Sequence, residues 1–267
     1  MGHMLGIFDS GFGGLTVLKP IHERLPEIST VYLGDNARAP YGIRTQEEIF
    51  QFTLEGVRFL FEKGCPLVIL ACNTASSQAL RRIQQEVLPG EFPDRRVLGV
   101  IRPAVEYLAA NSRRVGILAT PATVTSEAYV HEFQKLNPEI VVSQVACPGL
   151  TDMIEKGQQD TAECHHLVTQ FVQELLTQDP MIEQVLLACT HYPLVFLPFR
   201  KAVPGFMNVL TQGDLVAKSL KDYLLRHPEI SHRLEKKSAR TYFTTQDENI
   251  SNLASMFYGS AIEFQKA

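Results

Sequence analysis

"PLVILACNTASSQAL", residues 66–80, changes periodicity across a single cysteine. Up to Leu70 the run is continuously apolar, as in a strand covered on both faces of a parallel sheet. After Cys72, Asn73 and Thr74 are residue types that begin helices, and residues 75–88 carry helical spacing up to Pro89-Gly90. The reading is strand, cysteine, helix. The same order returns at "QVLLACTHYP" (184–193), where Ala188-Cys189 closes a second apolar run ahead of Thr190 and His191.

Outward from these two points the alternation continues. "MLGIF" (4–8) and "TVYLG" (30–34) are predicted strands, with a helix over 14–25 between them. Thr45 opens a capping box, Thr45-Gln46-Glu47-Glu48, and a helix to about Gly64. A second series follows, with predicted strands at "RVLGV" (96–100), "RVGIL" (114–118), "IVVSQV" (140–145) and "QVLLA" (184–188). "GEFPDRR" (90–96) reads as the boundary between the two series. After "MNVL" (207–210) and a helix over 213–226, a polar stretch leads to a last strand and helix that return to the first unit. Apolar strands alternating with amphipathic helices predict an α/β protein of two doubly wound parallel-sheet domains. The expected division is 1–96 with 209–267, and 97–208. Apart from the Ala-Cys pair, the chain shows no internal repeat.

Composition narrows the function classes. The 267 residues are 45% hydrophobic and 20% charged, with a formal charge of −4. There is no basic footprint for nucleic acid, and no apolar run near the ~20 residues of a membrane-spanning helix. The first residues lack the pattern of a secretion signal, and Met1-Gly2-His3 are set aside as an expression remnant. Five cysteines without a Cys-x-x-Cys pair suggest neither a disulfide framework nor a four-thiolate zinc site. A reducing cytoplasm is the expected setting.

In parallel α/β sheets, ligands bind beyond the carboxyl ends of strands. Asp9, Cys72 and Cys189 all stand at such ends. Cysteine is a common core residue, but twice in one context it calls for chemistry. A free thiol, with a pKa of about 8.5, is a few per cent ionised at neutral pH. Two of them across one carbon suit removal of a proton from one face and its return on the other. Racemisation needs two chemically alike groups, because the base of one direction is the acid of the other.

Rival readings are specific. "DSGFGGLT" (9–16) could cradle a pyrophosphate, with Asp35 as a ribose acid, but Thr16 stands where the third glycine belongs. The same loop could hold an amino acid, Asp9 taking its ammonium. Cys189 with His191 could serve a thiol hydrolase or transferase, which would leave Cys72 without a use. Cys164-His165-His166, Cys65 and Cys147 read as structural. No metal or pyridoxal site is evident, so the expected cofactor and metal are none.

With these residues the chain resembles the glutamate racemases, cofactor-independent enzymes that supply D-glutamate for bacterial peptidoglycan. The carriers are "DSGFGGLTVL" (9–18), "GDNARAPYG" (34–42), "ACNTAS" (71–76), "GLTDMIEKG" (149–157) and "ACTHYP" (188–193). The resemblance implies an active site in the cleft between the domains, with Cys72 and Cys189 as catalytic acid/bases. It implies assisting roles for Asp9, Glu155 and His191. Substrate binding would fall to Asp9, Ser10, Tyr41, Gly42, Asn73, Thr74, Thr190 and His191. A homodimer is also implied. Aspartate racemase of the same superfamily is the alternative; Thr190-His191, followed by Tyr192-Pro193, favours glutamate.

Overall fold

A computed structural model describes residues 3–246 and 251–267; Met1 and Gly2, of the three set aside above, lie outside the described residues. Four parallel strands in the order β2-β1-β3-β4 form the heart of the first sheet: β1 (Leu5–Asp9), β2 (Thr30–Gly34), β3 (Leu67–Leu70) and β4 (Arg96–Gly99). The second sheet runs β6-β5-β7-β8, from β5 (Arg114–Ala119), β6 (Val141–Ala146), β7 (Gln184–Ala188) and β8 (Asn208–Leu210). All described pairings are parallel.

The two orders are the same. Each unit puts its first strand in the middle, its second on one side, and its third and fourth on the other. Cys72 and Cys189 each follow the third strand, so the duplicated Ala-Cys belongs to a repeat of topology that the sequence hides. In each sheet the order reverses at the central strand, where the loops diverge and leave a crevice.

Strand β4 joins the first sheet, pairing Leu67 with Arg96, not the second series in which its sequence neighbours placed it. An apolar run of that length fits either sheet; a parallel crossover back to β3 decides the matter. The chain therefore changes sheet after Gly99, and the expected division points at 96/97 and 208/209 fall inside β4 and β8.

The Thr45 capping box forms, with Thr45 Oγ1 accepting from the Glu48 N–H at 3.3 Å and Glu48 accepting the Thr45 N–H at 2.9 Å. The helix it opens covers Gln46–Glu62. The helix expected over 75–88 is instead interrupted by a π turn at Ile83–Val87. Pro89 then lies in the first turn of Leu88–Glu91, where its missing N–H is not needed.

The C-terminal segment returns to the first sheet. Strand β9 (Arg240–Thr244) pairs with β2, and β10 (Gln265–Lys266) pairs with β9. The helix Ser251–Tyr258 packs on helix Leu15–Arg24, where His22 hydrogen-bonds both Tyr258 Oη (2.7 Å) and Thr30 Oγ1 (2.8 Å). Burial, helped by Arg240, lowers the His22 pKa to about 3, so it packs as a neutral ring. One apolar cluster, from Leu5 and Ile7 through Leu18 and Leu220 to Leu187, joins the faces of both sheets. Among the described residues no helix is long and apolar enough to cross a membrane.

Candidate active site

The carboxyl ends of both sheets face one small cavity of about 40 Å³, walled by Ser10, Cys72 and Thr74 from one side and Thr120, Cys189 and His191 from the other. Both cysteines are nearly buried, Cys72 at 5% and Cys189 at 7% exposure. The two cysteines that the sequence placed at strand ends are thus brought to a shared site.

Cys72 caps the helix Asn73–Gln78: its Sγ accepts the Ala75 N–H at 3.4 Å and lies 3.5 Å from Ser10 Oγ. Those contacts favour the thiolate, as the helix start predicted. Burial and the nearby Asp9 carboxylate outweigh them and push the thiol up to about 12. Cys72 therefore rests protonated.

Cys189 has different neighbours. Its Sγ lies 3.9 Å from His191 Nδ1 and 3.9 Å from Thr151 Oγ1. His191 Nε2 in turn meets Glu155 Oε1 at 2.9 Å. Burial works against a charged imidazole, yet the hydrogen bonds and charges of Cys189 and Glu155 prevail and raise His191 to about 10. The ring is an imidazolium at neutral pH. One thiol thus sits beside a carboxylate and the other beside a cation.

Asp9 is wholly buried, behind the cavity wall instead of on it. Its Oδ1 accepts the Gly11 N–H at 2.9 Å, and its Oδ2 accepts from Thr190 Oγ1 at 3.3 Å. Burial raises its pKa, against the pull of His191. The glycines of "DSGFGG" serve these side chains. A Cβ on Gly14 would come 2.5 Å from Asp9 Cβ; one on Gly13 would come 2.3 Å from Thr190 Oγ1 and 2.6 Å from His191 Nδ1. The loop is filled by protein, which removes the pyrophosphate reading. Asp35, its supposed ribose acid, is occupied by the Tyr41 hydroxyl, Arg38 Nε (2.7 Å) and Thr245 Oγ1 (2.9 Å).

That bond also takes the Tyr41 phenol away from the cavity, so Tyr41 and Gly42 wall it without the hydroxyl pointing in. The Asn73 amide is similarly engaged: Nδ2 donates to Gln212 Oε1, and Oδ1 accepts from Tyr129 Oη at 2.7 Å. Gln212 Nε2 closes the ring by donating to Tyr129 Oη at 2.7 Å. Thr74 Oγ1 shares a hydrogen bond with Thr120 Oγ1 at 2.9 Å, between the two sheets. Thr16 donates to the Thr190 carbonyl at 2.9 Å, another tie across the cleft. Glu155 is not part of the cavity wall; it hydrogen-bonds His191, which is.

The sequence reading missed several residues of the site, Thr151 beside Cys189 among them. Thr120 follows β5 and caps the helix Pro121–Thr125, so the strand-end rule alone could have found it. Cys147 follows β6 and lines the cavity, although the sequence reads it as structural. Tyr129 and Gln212 lie within helical patterns and gave no signal. Among the described residues no cluster of three or more His, Cys, Asp or Glu is placed to hold a metal.

Comparison with known proteins agrees with this geometry. The model of the Asp/Glu/hydantoin racemase family matches residues 14–210. A glutamate racemase from Paracoccus denitrificans is 45% identical over 98% of this chain and 99% of its own. A crystal structure of a glutamate racemase isoform from Bacillus anthracis superposes with a TM-score of 0.89 at 30% identity, covering 99% of this chain and 97% of that one. The glutamate racemase of Francisella tularensis, solved in complex with D-glutamate, gives 0.88 at 27% identity, covering 100% and 97%. By sequence, by topology and by the paired thiols between its sheets, this chain belongs to the Asp/Glu/hydantoin racemase family.

Proposed function

We propose that the protein interconverts L- and D-glutamate without a cofactor, in the cytoplasm and in the service of peptidoglycan synthesis, and that it works as a homodimer. The observation that carries the reading is the pair of thiols, each after the third strand of its sheet, on the wall of one cavity.

The two sulfurs exchange roles on turnover. Cys189 takes the α-proton of L-glutamate, and Cys72, which rests as the thiol, delivers one to the opposite face; the reverse converts the D form. The His191 imidazolium beside Cys189 attracts negative charge there. Asp9 beside Cys72 discourages premature ionisation, and an incoming ammonium would offset that influence.

The α-hydrogen is weakly acidic, and positioned acid–base groups typically contribute about 10²–10⁴-fold. Preorganised dipoles around the developing charge supply much of the rest. With the side chains of Asn73 and Thr74 engaged across the cleft, the backbone N–H groups near the two helix starts are the available donors. The present cavity has room for a few water molecules, less than an amino acid needs, so the sheets separate to admit substrate.

A circular dichroism assay on D-glutamate and D-aspartate without added cofactor tests the reading. Glutamate should lose its optical rotation and aspartate keep it. In D₂O, deuterium should enter Cα from either enantiomer, and Cys72→Ala or Cys189→Ala should each stop interconversion. Full racemisation by Cys72→Ala would remove the two-base idea, and a covalent adduct on Cys189 would instead point to a thiol hydrolase or transferase using Cys189 and His191.

A further inference from the structure

Phe257, on the C-terminal helix Ser251–Tyr258, lies far in sequence from both cysteines, yet its ring meets the His191 imidazole edge to face. The centroids are 5.1 Å apart and the planes 80° apart. Phe257 is 5% exposed and His191 3%. Gly13 closes on the same imidazole: a Cβ there would fall 2.6 Å from Nδ1 and 2.8 Å from Cε1.

The ring needs this confinement. His191 is tethered firmly at Nε2, through the 2.9 Å hydrogen bond to Glu155, which is itself partly exposed. The contact of Nδ1 with Cys189 Sγ is long, at 3.9 Å, and sets no angle by itself. A ring held at one nitrogen can still tilt about its Cβ. Aromatic edge-to-face packing has a preferred geometry and opposes that tilt. The helix bearing Phe257 is fixed in turn, because the adjacent Tyr258 is hydrogen-bonded to His22 on the first sheet's helix.

We propose that Phe257 is a positioning residue of the active site, which holds the His191 imidazole so that Nδ1 stays directed at Cys189 Sγ. The C-terminal segment then has a part in proton transfer at one of the two sulfurs and none at the other. The proposal rests on the racemase reading, since it assigns Phe257 to one half of that reaction.

The test is Phe257→Leu, which keeps apolar bulk and removes the ring, beside Phe257→Tyr, which keeps the ring. Thermal melts establish that each is folded at the assay temperature; should the leucine variant not be, Phe257→Met is read by the same criteria. The leucine variant should lose about tenfold in kcat with KM within about twofold, as misorientation of a catalytic group does. Phe257→Tyr should restore most of the rate.

The equilibrium constant of a racemisation is unity by symmetry, so kcat/KM must fall equally in both directions. The side affected is therefore read from the primary isotope effect with Cα-deuterated substrates. That effect should rise only for L-glutamate, whose proton Cys189 takes. Isotope effects that are unchanged, or that rise equally for both enantiomers, would overturn the proposal. Nitrogen-15 spectra of the His191 ring provide a readout independent of turnover. Broadening or splitting in Phe257→Leu supports the positioning role, and a spectrum like wild type overturns it. A wild-type protein that does not racemise glutamate sinks the functional reading instead, and the ring spectra still decide the role of Phe257.

Discussion

His191 and Glu155 form a hydrogen-bonded ion pair in which the imidazolium is almost completely buried and the carboxylate reaches toward solvent. Glu155 and Cys189 together overcome the desolvation of the ring and raise it to about 10. The folded-state pKa is above the ordinary 6.5, so the associated stability is complete below about 6.5 and is lost as pH rises through about 10. Glu155→Gln removes the charge and keeps the shape. The alkaline limb of the pH–rate profile should move down by about 1 unit or more, with kcat reduced about tenfold at neutral pH. Profiles of kcat and kcat/KM over pH 6–10.5 check this; an unmoved alkaline limb would contradict it.

Gly13 is the second pressure point. An alanine methyl would sit 2.3 Å from Thr190 Oγ1 and 2.6 Å from His191 Nδ1, so either the loop or the two side chains must shift. Overpacking of this kind costs about 1–3 kcal/mol. Displacement of a catalytic neighbour by an ångström costs about 10²-fold in rate. Gly13→Ala should therefore lose activity out of proportion to its fall in melting temperature, as parallel kinetics and calorimetry would establish.

Tyr129, Asn73 and Gln212 form a buried ring of hydrogen bonds joining the two units. Tyr129→Phe strips one donor from Asn73 and one acceptor from Gln212 and leaves both amides short of a partner. The expected destabilisation is about 1–3 kcal/mol in urea denaturation. Tyr107→Phe, at an exposed position, should be neutral.

His22 predicts behaviour in acid. Its folded-state pKa, about 3, is below the ordinary 6.5, so the unfolded chain binds the proton more readily. Stability should be complete above about 6.5 and decline as pH falls from there toward about 3. His22→Gln keeps polar contacts toward Thr30 and Tyr258 without a charge to acquire. Its urea midpoint should fall less than that of wild type between pH 7 and pH 4.5.

Much of this architecture is legible in single segments. The strand read at 184–188 is β7 residue for residue, and the helix read at 213–226 has those bounds, because apolar runs and helical spacing are local signals. Both cysteines were found by position at strand ends. Sheet membership is not local. The residues of β4 would suit either sheet, and only the crossover to β3 places them. The repeat of strand order left one trace in sequence, the Ala-Cys pair. The polar partners were also hidden: the glycines at 13 and 14 suggested a ligand's phosphates, whereas they make room for Thr190, His191 and Asp9. Tyr129 and Phe257 reach Asn73 and His191 from helices of ordinary pattern, so periodicity could not single them out.

The return of the last strand to the side of β2 has a consequence for how the molecule is made. Synthesis proceeds from the amino end, so both cysteines are made before β9 and Phe257. Until then the outer edge of the first sheet is open, Asp35 lacks Thr245, and His191 lacks its aromatic neighbour. Nascent chains thus carry both thiols ahead of the segments that complete the surroundings of Asp35 and His191.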